Sequence, residues 1–392
     1  MKITNLRFLQ IKGMINVPLP TEQDSQVWAL NVYEEHRRRE VSYPHPVDQD
    51  HPRPVENLLL LIDTDQGITG MAGVGAGEAY MIHTSMRRFL IGEDPIANER
   101  IWDILKRSTR IGHRGHWIVA IAAVDHALWD IRGKAANMPV HRLLGGPTRS
   151  RVPTYVSALG RSLEPENAFI QAQDFKNQGF PGQKWFFKYG PGDGTQGMAK
   201  NLLLVRTLRE AVGDDYPLMF DCFMGWDVLY SIEMCRRMEP YNPYWLEEPL
   251  QVDRVQGYAE IRRKTNVPIA GGEHESTRWG FRQMLDCGSV DVLQPDPYGV
   301  GGISEMIKIA ALASTYDKIM CPHCGGVEFV ASQPPSTCPF VEYLYTWWEM
   351  GQWFRKYPVQ VERGHVIPCE QPGLGNEINW ERVLSQEEWI PQ

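Results

Sequence analysis

Five strand-like runs of this 392-residue chain each end in an acidic side chain or a histidine. The terminal residues are Asp221, Glu247, Glu273, Asp296 and His323, spaced by 26, 26, 23 and 27 residues. About 25 residues can hold one strand, one helix and their loops, so the recurrence places all five side chains at the carboxyl ends of successive strands. Active sites of parallel β/α barrels are built at that end.

Three of these residues, Asp221, Glu247 and Glu273, are carboxylates that would repel one another in one mouth unless a cation lay between them. They are hard oxygen donors without a cysteine or histidine among them, which favours Mg²⁺, with Mn²⁺ as the alternative, over zinc. The stretch "PYWLEEPL" places Glu248 directly after Glu247. Strand alternation predicts that Glu247 faces the metal and that Glu248 points the other way, into an ion pair.

The other two residues, Asp296 and His323, are predicted to form a hydrogen-bonded pair on neighbouring strands. A carboxylate that accepts from one imidazole nitrogen fixes the tautomer and raises the basicity of the other nitrogen, which is how a general base is made. A core histidine with satisfied hydrogen bonds is the alternative for His323 considered alone. His274 follows Glu273 directly and is expected to point away from this group.

These side chains need a scaffold, and the chain beyond about residue 150 predicts a regular one. Segments at helical spacing alternate there with eight strand-like runs: "RVPTYVSA", "QKWFFKYG", "YPLMFD", "PYWLEE", "VPIAGGE", "VDVLQPD", "KIMCPH" and "PFVEYLY". Such alternation indicates parallel pairing, and eight strands close a barrel. The earlier part reads as mixed α and β, with an antiparallel hairpin over 57–75 and a helix over 116–131 that breaks at Gly133 and Pro139.

The composition, with 43% apolar and 22% charged residues, is that of an ordinary globular protein. A net charge of −8 argues against nucleic acid or an anionic membrane as the partner. The amino terminus lacks the apolar core of a signal peptide, and no window approaches about 20 consecutive apolar residues, so the cytoplasm is the expected location. The seven scattered cysteines read as reduced thiols, and the single C-x-x-C pair in "CPHC" lacks the second pair of a zinc site.

The motifs themselves indicate a family. The segments "AVDHALWDIRGKAANMPVHRLLGG", "FDCF", "WLEEPL", "GGEHES", "QPDPYGVGG" and "CPH" resemble the enolase superfamily, mandelate racemase subgroup, over nearly the whole chain. Within that subgroup the sequence is most similar to sugar-acid dehydratases. The resemblance implies an α/β fold: a (β/α)8-type TIM barrel of the modified enolase type in residues 146–365, an α+β capping domain in 1–145, and a tail, 366–392, that packs back on the capping domain.

The resemblance also implies roles for residues. The metal ligands of the family fall on the three carboxylates named above, and its base pair falls on Asp296 and His323. Glu342, which lies in the eighth strand-like run, falls where the family hydrogen-bonds a substrate carboxylate oxygen. A bound Mg²⁺, a small-molecule sugar-acid substrate and a homo-oligomer are expected. Loops of the capping domain select the substrate in this family, which points to the basic, His-bearing segment 36–54 without fixing which side chains take part.

The second barrel strand departs from the family pattern. Many relatives carry K-x-K at its end, which supplies a base on the face opposite the histidine. Here the run is "KWFFK", in which Lys184, Phe186 and Lys188 share one strand face. Lys188 is favoured as the lysine that reaches the pocket because it lies nearer the carboxyl end, and Lys184 is the alternative. The missing K-x-K favours a reaction that uses His323 as its one base.

The expected reaction is therefore a Mg²⁺-dependent dehydration of a sugar acid. A base removes the proton α to the carboxylate, the β-hydroxyl leaves, and a 2-keto-3-deoxy acid results. One alternative is a racemase, epimerase or cycloisomerase that uses a lysine as a second base. Another is a non-catalytic sugar-acid-binding or structural barrel, whose sequence would be expected to lack a metal ligand or the Asp–His pair.

Overall fold

The computed structural model describes residues 1–15, 24–37, 52–345 and 347–390. The strands in this part of the chain are β1 Ile3–Ile15, β2 Arg53–Thr64, β3 Thr69–Gly73, β4 Val152–Ser157, β5 Gln183–Phe186, β6 Leu218–Asp221, β7 Trp245–Glu247, β8 Ile269–Gly271, β9 Val292–Leu293, β10 Ile319–Met320, β11 Val341–Leu344, β12 Val361–Glu362, β13 His365–Val366 and β14 Ser385–Glu388.

The α-helices of the same residues are α1 Ala76–Met81, α2 Arg87–Leu90, α3 Asn98–Arg107, α4 His116–Ala135, α5 Val140–Leu143, α6 Pro165–Asn177, α7 Gly194–Val212, α8 Val228–Met238, α9 Val255–Lys264, α10 Thr277–Cys287, α11 Ile303–Thr315, α12 Val327–Ser332 and α13 Trp348–Gly351. Across the described ranges, none of these helices combines the length and the apolar character that a bilayer span requires.

An antiparallel sheet with the strand order β14-β1-β2-β3 forms the first layer. Strands β2 and β3 are joined by a short turn in which Gly67 has a φ of +74°, a conformation that glycine adopts without steric cost. The hairpin predicted over 57–75 is confirmed. The last strand, β14, pairs with β1, so the end of the described chain returns to the sheet formed by its beginning.

Helix α4 covers this sheet and continues further than the sequence predicted. It runs through Gly133 to Ala135, and the break before α5 falls at residues 136–139. Gly133 therefore does not end the helix. A Cβ at this position would lie 2.5 Å from the Cα atom of Gly373, so glycine is required here for close packing of the carboxy-terminal segment against α4.

The second layer is a barrel of parallel strands. Hydrogen-bonded parallel pairs run from β11 through β4 and onward in chain order to β10. Between β10 and β11 the backbone N–H of Met320 donates to the carbonyl of Thr337 (2.7 Å). All eight predicted runs are strands of this barrel, which confirms the predicted α/β architecture. The boundaries proposed at 145 and 365 stay predictions.

A group of buried side chains fills the barrel interior on the amino-terminal side of the strand ends and forms the floor of its mouth. Its buried members come from six different strands or strand ends and are Tyr155, Met219, Trp245, Ala270, Val292 and Cys321. Because side chains of a strand alternate between its two faces, the residues two positions further along also point into the barrel, at its carboxyl end. This floor therefore determines which side chains line the mouth above it.

Candidate active site

The predicted acids and the histidine line the mouth directly above the barrel floor. Asp221 follows Met219 by two residues, and Glu247 follows Trp245 in the same way. Asp221 and Glu247 are register partners on β6 and β7, so their side chains start from the same level. The strand-end recurrence in the sequence thus corresponds to one cluster in space, as a parallel barrel requires.

Lys184 on β5 supplies positive charge at the centre of this mouth. Its ammonium group donates to Glu247, lies 2.7 Å from Oε1 of Glu342 and lies 3.9 Å from Oδ2 of Asp221. Glu247 also accepts from the indole N–H of Trp245 (2.9 Å) and from the amide of Gln294 (2.6 Å). Lys184, Glu247 and Glu342 are all at least 96% buried, so their charges act on one another with little screening by water.

The three predicted metal ligands of the mouth are costly to ionise. Burial raises the pKa of Asp221 to about 6 and the pKa values of Glu247 and Glu273 to about 7, and mutual repulsion adds to this effect. Lys184 and, at Glu273, also His323 offset only part of this effect. Oxygen-only donors crowded around too little positive charge fit a hard divalent cation such as Mg²⁺.

Among the described residues, the acidic and histidine side chains whose ligand atoms all lie within 4.8 Å of one another are Glu248, Glu273 and His274. The predicted ligands Asp221, Glu247 and Glu273 do not form such a set. The expectation that His274 points away from the cluster is wrong, because its Nδ1 lies 2.7 Å from Glu248 and 3.5 Å from Glu273. Although burial opposes it, the hydrogen bond to Glu248 raises the pKa of His274 to about 9. His274 and Glu248 thus form an ion pair beside the mouth. Glu248 thus makes the ion pair that the sequence predicted.

His323 and Asp296 lie together as predicted. Nδ1 of His323 is 2.9 Å from Oδ2 of Asp296, and Nε2 faces Glu273 (3.4 Å) and Glu342 (4.0 Å). Because a carboxylate only accepts, Nδ1 carries the proton and Nε2 is the nitrogen that faces the mouth. Burial lowers the pKa of His323, but the charge of Glu273 and the bond to Asp296 outweigh it and raise the pKa well above its usual value.

Each carboxylate oxygen of Glu342 has a different neighbour. The N–H of Cys324 donates to Oε2 (3.0 Å), and Lys184 lies beside Oε1. Although burial opposes ionisation, Lys184 and His323 hold the pKa of Glu342 below its ordinary value. An ionised carboxylate cannot donate a hydrogen bond, so in this arrangement Lys184, not Glu342, is the donor at this side of the mouth.

The two lysines of "KWFFK" have separate partners. Lys184 contacts the acid cluster, whereas Lys188 donates to Asp24, whose other oxygen accepts from the backbone N–H of Leu163 (2.7 Å). Lys184 is therefore the lysine that contacts the predicted acids, and the preference for Lys188 as the lysine that reaches the pocket stays a prediction. Lys188 lies two residues beyond the end of β5, so strand alternation no longer controls its direction.

Several features of the mouth were missed from the sequence. Gln294 and Trp245 donate to Glu247 but belong to residue types that usually serve as packing, so no spacing singles them out. Left-handed backbone conformations, rare for residues other than glycine, follow three predicted site residues: Phe223 and Met224 after Asp221, Glu248 after Glu247, and Cys324 after His323. Strained backbone of this kind is concentrated at functional sites. Residues 38–51 of the segment 36–54 lie outside the described residues.

Comparison with known proteins agrees with this architecture. Residues 36–145 match the family described as "Mandelate racemase / muconate lactonizing enzyme, N-terminal domain", and residues 169–383 match "Enolase C-terminal domain-like". A curated relative, L-rhamnonate dehydratase of Saccharopolyspora erythraea, is 38% identical over 295 residues, which are 73% of this chain and 72% of that protein.

Solved structures extend the likeness. Rhamnonate dehydratase from Gibberella zeae complexed with Mg has a TM-score of 0.82 and 32% identity, covering 96% of this chain and 94% of that one. A racemase from Streptomyces coelicolor with bound magnesium has a TM-score of 0.78 and 27% identity, covering 97% and 98%. The two family matches cover parts of both layers of the fold and include every residue of the mouth named above. The chain therefore belongs to the mandelate racemase/muconate lactonizing enzyme family of the enolase superfamily.

Proposed function

We propose that this protein is a Mg²⁺-dependent dehydratase of a sugar acid, an aldonate such as L-rhamnonate, and that it produces a 2-keto-3-deoxy acid. The observation that carries the proposal is the arrangement of His323 and Asp296 at the edge of a carboxylate-lined mouth. The names of the L-rhamnonate dehydratase relatives indicate both the reaction class, dehydration, and the substrate class, aldonates. The same proposal makes the enzyme a hydro-lyase.

Asp221, Glu247 and Glu273 would hold the metal ion. When bound, Mg²⁺ supplies positive charge that stabilises the negative charge developing on the substrate carboxylate as the neighbouring carbon loses its proton. Lys184 would donate to a carboxylate oxygen of the substrate from the same wall, and Glu342 would orient the lysine. Glu342 is ionised in this arrangement and cannot donate a hydrogen bond to a substrate oxygen. It would donate only after binding a proton, or it would act on the substrate indirectly, through Lys184.

His323 would remove the proton α to the carboxylate with Nε2, while Asp296 keeps Nδ1 protonated and the ring in place. The electrons of the C–H bond become the double bond between the α- and β-carbons, and the bond between the β-carbon and its oxygen breaks. The imidazolium of His323 returns its proton to the departing hydroxyl, so that one water leaves and the enol product becomes the 2-keto acid. General acid–base help of this kind contributes roughly 10²–10⁴-fold to the rate.

The experiment is a screen of the purified protein with Mg²⁺ against mono- and di-acid sugars, with detection of α-keto product. At least one aldonate is expected to give product, and both removal of Mg²⁺ with EDTA and the His323→Asn substitution should abolish it. Absence of α-keto product from every acid would contradict the proposal. A rate unaffected by EDTA would contradict the metal requirement alone.

An isomerase is the second candidate. The similar racemase structure and the presence of Lys184 in the same mouth favour it, because a lysine opposite the histidine would give a second base. Its signature in deuterium oxide is exchange of the α-proton with every hydroxyl retained. Exchange without α-keto product, seen with both epimers of an acid, would replace the dehydratase proposal by this one.

The assembly is proposed on the family resemblance, and the location and the excluded partners are proposed on the composition and charge of the sequence. We expect a homo-oligomer in the cytoplasm that binds neither nucleic acid nor membrane. Sedimentation velocity of the full chain measures the assembly directly, and a monomer at micromolar concentration would contradict it.

A further inference from the structure

We propose that Tyr298, held by His126 of the capping helix α4, positions the Asp296–His323 pair, so that α4 is part of the proton-transfer machinery. The role of these residues in proton transfer rests on the proposed function, whereas the contacts that position Asp296 do not. Tyr298 and His126 are positioning residues here, because they act through Asp296 and no contact with the reacting atoms is implied.

Asp296 has a separate set of partners for each carboxylate oxygen. Oδ2 accepts from His323, and Oδ1 accepts from the backbone N–H groups of Tyr298 (2.6 Å) and Gly299 (3.1 Å). The carbonyl of Asp296 accepts from Val300 (2.8 Å) in the same turn. The direction of the Asp296 carboxylate, and with it the imidazole of His323, therefore follows the position of the turn 296–300.

The side chain of Tyr298 ties this turn to the capping helix. Its ring stacks on the imidazole of His126 with a centroid distance of 4.8 Å and an interplanar angle of 14°. Nδ1 of His126 is 2.8 Å from the carbonyl of Ala122, which only accepts, so Nδ1 carries a proton and the ring has one fixed orientation. Burial also lowers the pKa of His126, which keeps the imidazole neutral.

Neighbouring contacts keep the whole segment 298–304 against the capping helices. The indole N–H of Trp102 donates to the carbonyl of Gly301 (2.9 Å), and Asp125 accepts from the backbone N–H (2.9 Å) and the hydroxyl (2.6 Å) of Ser304. A Cβ at Gly302 would lie 2.4 Å from Oδ2 of Asp125. The sequence motifs "AVDHALWD" and "QPDPYGVGG" are thus the two faces of one contact between the layers.

Space beside the stack makes its loss consequential. A cavity of about 340 Å³ lies between the capping sheet and the barrel loops, and both His126 and Tyr298 line it. Without the imidazole, the Tyr298 ring has room to move into this cavity. The turn that donates to Asp296 would then lose its lateral support, and a small displacement of a catalytic group can reduce a rate by as much as ~10²-fold.

The test compares His126→Ala and Tyr298→Ala with the ring-preserving His126→Phe and Tyr298→Phe. Both alanine variants are expected to lower kcat roughly 10-fold or more with KM changed less than about 2-fold, and both phenylalanine variants to restore most of kcat. Trp129→Phe is the control for loosening of the same contact between layers, because Trp129 lies on the same helix and donates to Ser304 Oγ (3.0 Å), beyond the turn 296–300. It should lower the melting temperature and leave kcat within about 2-fold of wild type.

Two further measurements separate positioning from general loosening of the fold. In an Asp296→Asn background, Tyr298→Ala should cause no additional loss of kcat, because Tyr298 acts through Asp296; a full additional loss would overturn the proposal. The Nδ1 proton resonance of His323, read by NMR on the folded protein, should shift or broaden in Tyr298→Ala and stay in place in Trp129→Phe. An unchanged resonance in Tyr298→Ala would also overturn it. This second readout needs no turnover, so failure of the proposed function leaves it interpretable.

Discussion

The two ends of the barrel use the same side chain in opposite ways. At the amino end, Asp291 is 2.8 Å from Nε of Arg262 and 3.0 Å from Nζ of Lys318, and it accepts from the N–H of Ile269. Although burial opposes it, these cations lower the pKa of Asp291. At the carboxyl end, Asp221 has one lysine at 3.9 Å, and burial raises its pKa to about 6.

Asp291 is therefore an acid whose charge stabilises the fold, whereas the charge of Asp221 destabilises it. A paired carboxylate contributes to stability, whereas a buried carboxylate with too little positive charge near it is kept for binding or chemistry. Both residues adjoin the barrel strands, and only the end of the barrel differs. Substituting the same amide at both positions therefore tests the assignment directly.

Asp221→Asn is expected to have the largest effect on activity. The amide keeps the oxygen that accepts from the N–H of Phe223 (2.8 Å) and removes a charge from the mouth. Loss of a metal ligand should reduce kcat/KM by roughly 10³-fold, since metal stabilisation is worth several kcal/mol. The melting temperature measured with EDTA should be unchanged or higher. Mg²⁺ binding measured by calorimetry should weaken in parallel, and undiminished Mg²⁺ affinity would remove Asp221 from the ligand set.

Lys184→Met is expected to follow, with a loss of about 10²-fold in kcat/KM, the usual cost of one donor to a developing oxyanion. Without Mg²⁺ it should also destabilise the protein, because it leaves Glu247 and Glu342 without their cation. Lys188→Met is the matched comparison, and its loss should be much smaller because Lys188 pairs with Asp24. Equal losses in the two variants, measured by steady-state kinetics, would restore Lys188 as a candidate for the pocket.

The lysines also show how far the sequence could lead. Strand-end residues were predictable because β/α units recur at nearly constant length and the barrel aligns their carboxyl ends. Asp296 and His323 belong to that class, and their contact follows from strand order alone. The direction of Lys188 was not predictable, because it lies past the strand and its partner, Asp24, comes from a distant part of the chain.

The prediction that His274 points away from Glu273 was wrong for a related reason. Alternation along a regular strand would turn it away from Glu273, but Gly272 has a φ of +121° and breaks the alternation before either residue. The contact between His126 and Tyr298 also could not be predicted from the sequence, because it joins two layers whose relative placement no local pattern encodes. Local periodicity predicts positions within an element, whereas contacts between layers depend on the packing of the whole chain.

Asp291→Asn should have a smaller effect, and on stability rather than activity. Removing the charge loses the ion pairs with Arg262 and Lys318, which are partly exposed, so the free energy of unfolding should fall by about 1–2 kcal/mol. Activity should stay within about 2-fold of wild type. Urea unfolding and steady-state kinetics measured on the same preparation check both statements, and a large loss of activity with unchanged stability would erase the distinction between the two ends.

The smallest expected effect is the response of stability to pH, and it has opposite signs at the two ends. The lowered pKa of Asp291 means that its stabilisation is present above pH about 4 and is lost as the pH falls further. The raised pKa values of Asp221, Glu247 and Glu273 mean that the folded protein binds more protons than the unfolded chain between pH about 4 and 7. With EDTA present, stability contributed by the carboxyl end should therefore fall as the pH rises through that window.

Mg²⁺ should reverse this fall, because the ion binds the ionised carboxylates of the folded protein and stabilises it by mass action. Melting temperatures recorded from pH 4 to 8 should decline with EDTA and decline less, or rise, with Mg²⁺. The Asp221→Asn variant should flatten the EDTA curve, since it removes one of the protons concerned, whereas Asp291→Asn should leave the slope above pH 5 as it is. If the two variants changed that slope equally, the acids at the two ends of the barrel would differ in position but not in kind.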